Sequence, residues 1–150
     1  IMSLQKEIMT KLKEAMKAKD SVALESLRAV KSAILLAQTE TGAKEELTED
    51  QELKILQKLV KQRKDSAQLF SKQGREDLAT PELEQAAVIA QFLPAQMTVE
   101  AIEGAVVEII SQTGATGMKD MGKVMGMSSK QLAGKADGKA IATIVKKLLA

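Results

Sequence analysis

Glycine and lysine are concentrated between Gly117 and Lys139, and together these residue types are suited to binding an anionic backbone. Five of the nine glycines lie in this stretch, with five lysines and four of the eight methionines. A glycine lets another backbone approach closely, and a nearby lysine supplies positive charge. The candidate nucleic-acid-binding residues are Lys119, Lys123, Lys130, Lys135, Lys139, Gly122, Gly126, Gly134 and Gly138. Packing of the glycines within the chain is the competing interpretation, and the methionines are typical of core filling.

The net charge of +2 conceals an uneven distribution of charge along the chain. From Lys119 onward there are seven lysines and two aspartates, whereas the rest of the chain carries 15 basic and 18 acidic residues. A basic segment of this kind predicts contact with nucleic-acid phosphates. An ordinary solvated, lysine-rich surface would give the same count of charges, so the alternative stays open.

A second basic stretch lies within a long helix that is predicted between Thr48 and about Lys72. Lys58, Lys61 and Arg63 are its candidate partner-binding residues, and they predict a surface for another protein. The alternative is that these charges form the solvated side of an amphipathic helix.

The composition removes most catalytic chemistry, because the chain has no Cys, His, Trp or Tyr. Without His there is no Ser-His triad and no usual zinc site, and without Cys there is no thiol nucleophile. The pair Gly134-Lys135 lacks the upstream glycine and the preceding strand of a phosphate-binding loop. We therefore expect no catalytic residue, no metal and no cofactor, and we leave enzymatic activity open.

The few aromatic residues narrow the kind of nucleic acid that the chain would bind. Phe70 and Phe92 are the only aromatic residues, so recognition of single strands by base stacking is not expected. Shape and backbone recognition of structured RNA is compatible with this composition. No apolar run approaches the roughly 20 residues of a membrane span, and the early Glu7 argues against a signal peptide. A cytoplasmic protein without a membrane partner is expected.

Apolar residues recur at spacings of three and four, which predicts an all-α protein of seven or eight short helices in two small bundles. The predicted N-caps are Ser3, Thr48, Thr80, Thr98 and Asp137, with Pro81 as the first residue of the fourth helix. Gly42, Gly74 and Gly114 are the predicted stops of the second, third and fifth helices.

The best domain boundary in the sequence is Leu93-Pro94, because a proline pushes the preceding residue out of the helical region. It predicts an N-terminal helical domain over 1–93 and a C-terminal helical domain over 94–150. Within the second domain, a short helix is predicted from Met118 to Met127, with a break at Ser128-Ser129.

Several stretches together make the chain resemble the YqeY family, whose C-terminal domain is shared with the tail of the GatB subunit of glutamyl/aspartyl-tRNA amidotransferase. These stretches are LRAVKSAI (27–34), KQRKDSAQLFSKQGREDLA (61–79), FLPAQMT (92–98), DMGKVMG (120–126) and GKADGK (134–139). The resemblance covers nearly the whole chain and implies an all-helical fold with a C-terminal GatB/YqeY-type domain.

What the resemblance implies about function is an accessory, bacterial-type protein that binds tRNA or a tRNA-handling enzyme through its C-terminal bundle. The expected partners are tRNA and, with it, amidotransferase subunits or an aminoacyl-tRNA synthetase. One alternative is participation in the glutamine-dependent amidation of misacylated tRNA, a carbon–nitrogen ligase activity with glutamine as amide donor. Another alternative is a protein-interaction module.

Overall fold

The computed structural model describes residues 3–40 and 47–150, and in these residues it contains seven α-helices and no strand. The all-α prediction is confirmed. The helices are α1 (Leu4–Ala18), α2 (Ser21–Glu40), α3 (Glu49–Lys72), α4 (Glu76–Ala90), α5 (Val99–Thr113), α6 (Met121–Gln131) and α7 (Gly138–Leu149). A 3₁₀ turn, Met118–Asp120, precedes α6.

Most helix starts are set by local hydrogen bonds that the sequence predicts. Thr48 forms a full capping box, since its Oγ1 accepts from the Gln51 amide at 3.2 Å while the Gln51 side chain accepts from the Thr48 amide at 2.9 Å. Ser3 and Thr98 likewise accept from the amides of Lys6 and Ala101. Each cap satisfies amide groups that have no partner within the helix.

Several helices end at or near a residue with a left-handed backbone conformation. Gly74 and Gly114 adopt left-handed backbone angles, φ +73° and +69°; Gly114 directly follows α5, and Gly74 lies two residues after the end of α3. Lys19 takes the same conformation, φ 53°, between α1 and α2. The predicted stop at Gly42 lies outside the described residues.

Two expectations about helix boundaries are wrong. Helix α4 begins at Glu76 rather than Pro81, so Pro81 lies inside the helix and Thr80 is not its cap. Helix α6 continues through Ser128 and Ser129 to Gln131, because Ser128 is buried one turn after the buried Val124 and packing carries the helix onward.

The chain divides into two compact units, Ile1–Leu93 and Pro94–Ala150, and each has its own hydrophobic core. In the first unit, α3 packs against α4, and α2 packs against α1, α3 and α4. Its core residues are Ile8, Leu12, Ala15, Leu27, Val30, Ile34, Leu56, Val60, Ala86 and Ile89.

The second unit is built from α5, α6 and α7, which all pack against one another. Its core residues are Ile102, Val106, Ile109, Val124, Leu132, Ala136, Ile141, Ile144, Val145 and Leu149. Met121 and Met125 pack against this core, as expected, whereas Met118 is 48% exposed. This core fixes which face of α6 points outward.

Candidate nucleic-acid interface

Helix α6 has an inner face that belongs to the core and an outer face that carries four of the candidate residues. Val124 and Ser128 are fully buried. Gly122, Lys123, Gly126 and Lys130 are exposed, and their spacing of three to four residues places them side by side on one surface of the helix. The helix therefore presents a strip of two glycines, Gly122 and Gly126, bordered by two lysines.

The glycine strip lies open to solvent. A Cβ atom built at Gly122, Gly126 or Gly138 would meet no atom within 4 Å among the contacts described. Each glycine in a helix interior costs about 1 kcal/mol relative to alanine, so two of them in α6 weaken the helix. Packing within the described chain does not account for Gly122 or Gly126, which removes the competing interpretation at these two positions.

All five candidate lysines, Lys119, Lys123, Lys130, Lys135 and Lys139, are exposed, and none forms an ion pair within residues 3–40 and 47–150. Lys147 on α7 is different, because its Nζ lies 2.7 Å from Glu103 Oε1 on α5. That hydrogen bond and the nearby negative charge raise the pKa of Lys147 above its ordinary value. The five candidates are therefore available to an external anion.

Asp120 holds the turn that leads into α6. Its Oδ2 accepts from the Thr116 amide at 2.9 Å, and this hydrogen bond lowers the pKa of the Asp120 carboxyl below its ordinary value, with smaller contributions from Lys119 and Lys123. The carboxylate thereby fixes the loop that presents Lys119. It also places one negative charge beside two of the candidate lysines.

The turn between α6 and α7 is anchored by residues from the start of the second unit. Gln96 Nε2 donates to the Gly134 carbonyl at 2.9 Å, and the Met97 amide donates to the Lys135 carbonyl at 2.9 Å. Gly134 is buried and has a left-handed backbone, φ +77°, which glycine adopts without strain. Gly134 therefore has a structural place in the turn, whereas the Lys135 side chain extends into solvent.

Asp137 occupies the N-terminus of α7. Its Oδ1 accepts from the Lys139 amide at 3.1 Å. A helix N-terminus attracts anions, but here a carboxylate of the chain already fills that role. The positive charge of this region is therefore presented by the side chains of Lys135 and Lys139.

Comparison with known sequences identifies the family of the chain. The sequence model of a family described as Yqey-like protein matches residues 5–149 of the chain. The chain belongs to the YqeY family. This family is related to the C-terminal domain of GatB, and the family resemblance expected from the sequence is thus confirmed.

A curated relative of this YqeY-family chain is altered inheritance of mitochondria protein 41, mitochondrial, from Clavispora lusitaniae. It is 38% identical over 82 residues, which are 55% of this chain and 46% of that protein. The chain thus matches less than half of the relative's length. The relative is a fungal protein with a mitochondrial name, and a cytoplasmic, bacterial-type placement of this chain stays a prediction.

The second candidate surface of this YqeY-family chain, on α3, is only partly available. The half-buried Arg63 donates from Nε to Gln85 Oε1 at 3.1 Å and from a terminal nitrogen to the Leu59 carbonyl, so its guanidinium links α3 to α4. Lys61 lies 2.7 Å from Asp65. Lys58 is exposed. A partner would therefore meet Lys58 more readily than Arg63.

Neither a cluster of metal ligands nor a membrane-spanning helix is found in the part of the chain that the structure describes. No group of three or more His, Cys, Asp or Glu residues there could hold a metal ion. Among the same residues, no helix has the length and apolar character needed to cross a membrane.

The structural role of Gln96 and Met97, which hold the turn between α6 and α7, is not visible in the sequence. The FLPAQMT stretch marks a boundary in the sequence, but nothing local indicates that it binds backbone 38 residues away. Hydrogen bonds between residues so far apart in the sequence depend on how the whole unit packs.

Proposed function

We propose that residues 94–150 bind the sugar–phosphate backbone of a structured RNA, and that this RNA is a tRNA. The observation that carries the proposal is the open strip of Gly122 and Gly126, which lies beside lysines that have no ion-pair partner among the described residues. A backbone phosphate can approach a glycine surface more closely than any other helix surface. Lysines beside it supply point charges for phosphate oxygens.

The distribution of charge within the second unit supports the same surface. Its lysines lie from the 3₁₀ turn onward, whereas three of its five acidic residues, Glu100, Glu103 and Glu108, lie on α5. The basic side is thus set by α6, α7 and the turns around them. Because both aromatic residues precede Pro94, the unit has no side chain for base stacking, which favours helical or folded RNA.

The first test is the salt dependence of tRNA binding, measured by fluorescence anisotropy at several salt concentrations. We expect the variant K123A/K130A/K139A to bind more weakly and to lower the salt slope by about 2–3, since each lost phosphate contact lowers it by roughly one. The matched control, K54A/K58A/K72A, removes three exposed lysines of α3. It should leave the slope unchanged. Equal slopes for both variants would contradict the proposal.

The second test separates binding from stability. The variant G122A/G126A should raise the free energy of unfolding by about 1 kcal/mol per site, because nothing obstructs the added methyl groups. It should nevertheless weaken tRNA binding, since the methyl groups fill the strip. Gly104 on α5 is equally open, so G104A is the control that stabilises without affecting binding. Unchanged affinity in G122A/G126A would exclude the strip as the contact surface.

Participation in the amidation of misacylated tRNA stays a prediction from the family resemblance. Stimulation of amidotransferase turnover by the full chain is the measurement that would support it. If K123A/K130A/K139A bound tRNA as tightly as the wild type and the full chain stimulated turnover, we would conclude that the chain acts by binding amidotransferase subunits and not through these lysines.

A further inference from the structure

A groove between α1 and α2 lies in the first unit, outside the surface discussed above. Its floor is apolar, since Ile8 and Ile34 are almost fully buried, and its walls include Met9 and Leu35, which are 43% and 50% exposed. Its volume is about 210 Å³. Pockets for small molecules measure roughly 300–1,000 Å³, so this groove suits a single large side chain presented by a larger partner.

Positive charge borders the groove on both helices. Lys31 of α2 lines it directly. On α1, Lys13 follows Met9 by one helical turn, and on α2, Arg28 precedes Lys31 by three residues. None of these three cations forms an ion pair with a described residue.

The acidic residues of α1 lie away from this border, and Glu25 of α2 lies at its far end. By helical spacing, Glu7 and Glu14 of α1 lie on the opposite side from Met9, and Glu14 is paired with Lys11 at 3.3 Å. On α2, Glu25 precedes Arg28 by three residues and so neighbours that cation, but it lies six residues before Lys31, which lines the groove. The groove thus combines an apolar floor with basic edges.

We propose that this groove binds an amphipathic helix of a partner protein, with an apolar anchor in the groove and acidic residues on both sides of it. A helix laid between two helices buries its apolar stripe in such a groove. Acidic flanks would meet the cations on both edges, which sets specificity and orientation. A nucleic-acid backbone is charged and would not bury apolar surface against the floor of the groove.

The test uses two designed helical peptides that share a leucine stripe and differ only in their flanking residues, Glu in one and Lys in the other. Both are titrated into the ¹⁵N-labelled full chain and followed by amide NMR spectra. We expect the Glu peptide to shift amides of α1 and α2 around Met9 and Leu35. The Lys peptide should bind at least about tenfold more weakly. Equal affinities, or shifts confined to other helices, would overturn the proposal.

A matched pair of variants locates the site. K31E/L35S changes a groove lysine and an exposed leucine, and it should lower the affinity for the Glu peptide at least about tenfold. L69S/K72E makes the same changes on α3, where Leu69 is 56% exposed, and should bind normally. Helix content from circular dichroism shows that both variants fold. Equal affinity of the two variants would place the site elsewhere.

Two further measurements assign the groove to other occupants and thereby overturn the proposal if they succeed. One is binding to phosphatidylglycerol vesicles that K31E/L35S abolishes, which would make the groove a lipid surface. The other is concentration-dependent dimerisation, followed by sedimentation, that the same variant abolishes. That result would assign the groove to a second copy of the chain.

Discussion

Two buried serines differ in one respect that sequence alone does not reveal. Ser26 and Ser128 are both fully buried inside helices. The Ser26 hydroxyl donates to the Val22 carbonyl at 2.8 Å, whereas the Ser128 Oγ has no hydrogen-bond partner among the described residues. A buried polar group without a partner destabilises a protein by about 1–3 kcal/mol. Ser128 is therefore a weak point of the second core.

We expect S128A to raise the free energy of unfolding by about 1 kcal/mol, because the substitution removes the unpaired hydroxyl and favours helix. Hydrogen exchange of the core amides of Ile109 and Val145 measures this gain within the second unit. S26A is the control, since it removes a hydrogen bond that is formed and should give no gain in the first unit. A similar gain from both substitutions would show that the gain comes from the helix propensity of alanine and not from removal of the unpaired Ser128 hydroxyl.

At the scale of the element, helix α4 begins five residues before its proline, Pro81. Pro81 has no amide hydrogen, so the carbonyl of Asp77 loses its usual partner in the helix. The turn ahead of Pro81 is instead supported by the Arg75 carbonyl, which accepts from the amides of Leu78 and Ala79. The Arg75 guanidinium also binds both oxygens of Asp77.

P81A tests where α4 begins. If the helix starts at Glu76, alanine restores a hydrogen bond and should raise the free energy of unfolding by about 1–3 kcal/mol. If the helix started at Pro81, the proline would be well placed at the first position and its replacement would destabilise. Urea unfolding followed by circular dichroism distinguishes the two outcomes by the sign of the change.

Local signals explain which elements could be predicted from the sequence. Caps such as Thr48, Thr98 and Asp137 act through amides two or three residues away, so their positions are visible in the sequence. The end of α6 and the start of α4 depend on burial of Ser128 and on packing against α3, which no local pattern encodes. For the same reason, sequence identified the basic residues of the candidate site but did not separate the buried Gly134 from the open Gly122 and Gly126.

At the scale of the whole molecule, the second unit contains a core of its own in residues 94–150. This is close to the size of about 60 residues at which independent folding becomes marginal. We expect a fragment of residues 94–150 to fold, with helical circular dichroism and dispersed amide resonances. A fragment that is unfolded in buffer would show that this core is insufficient.

A pair of adjacent valines on α5 provides the internal check of that fragment. Val106 is fully buried, whereas Val107 is 52% exposed. In the fragment of residues 94–150, V106A should lower the free energy of unfolding by about 2 kcal/mol, because the substitution leaves a cavity in the core. V107A should change it by less than about 0.5 kcal/mol.

From the hydrogen bonds that Gln96 and Met97 donate to the turn at Gly134 and Lys135, we also expect an order of events during folding. They close a loop that contains α5, the 3₁₀ turn and α6, so the acceptor carbonyls come into place only after the end of α6 has formed. The segment around Gln96 would thus dock late in folding and detach early in unfolding. Because the acceptors are backbone atoms, this late step depends on the shape of the turn and tolerates side chains at position 135 other than proline, whose missing amide hydrogen would break the hydrogen bond to the Leu132 carbonyl.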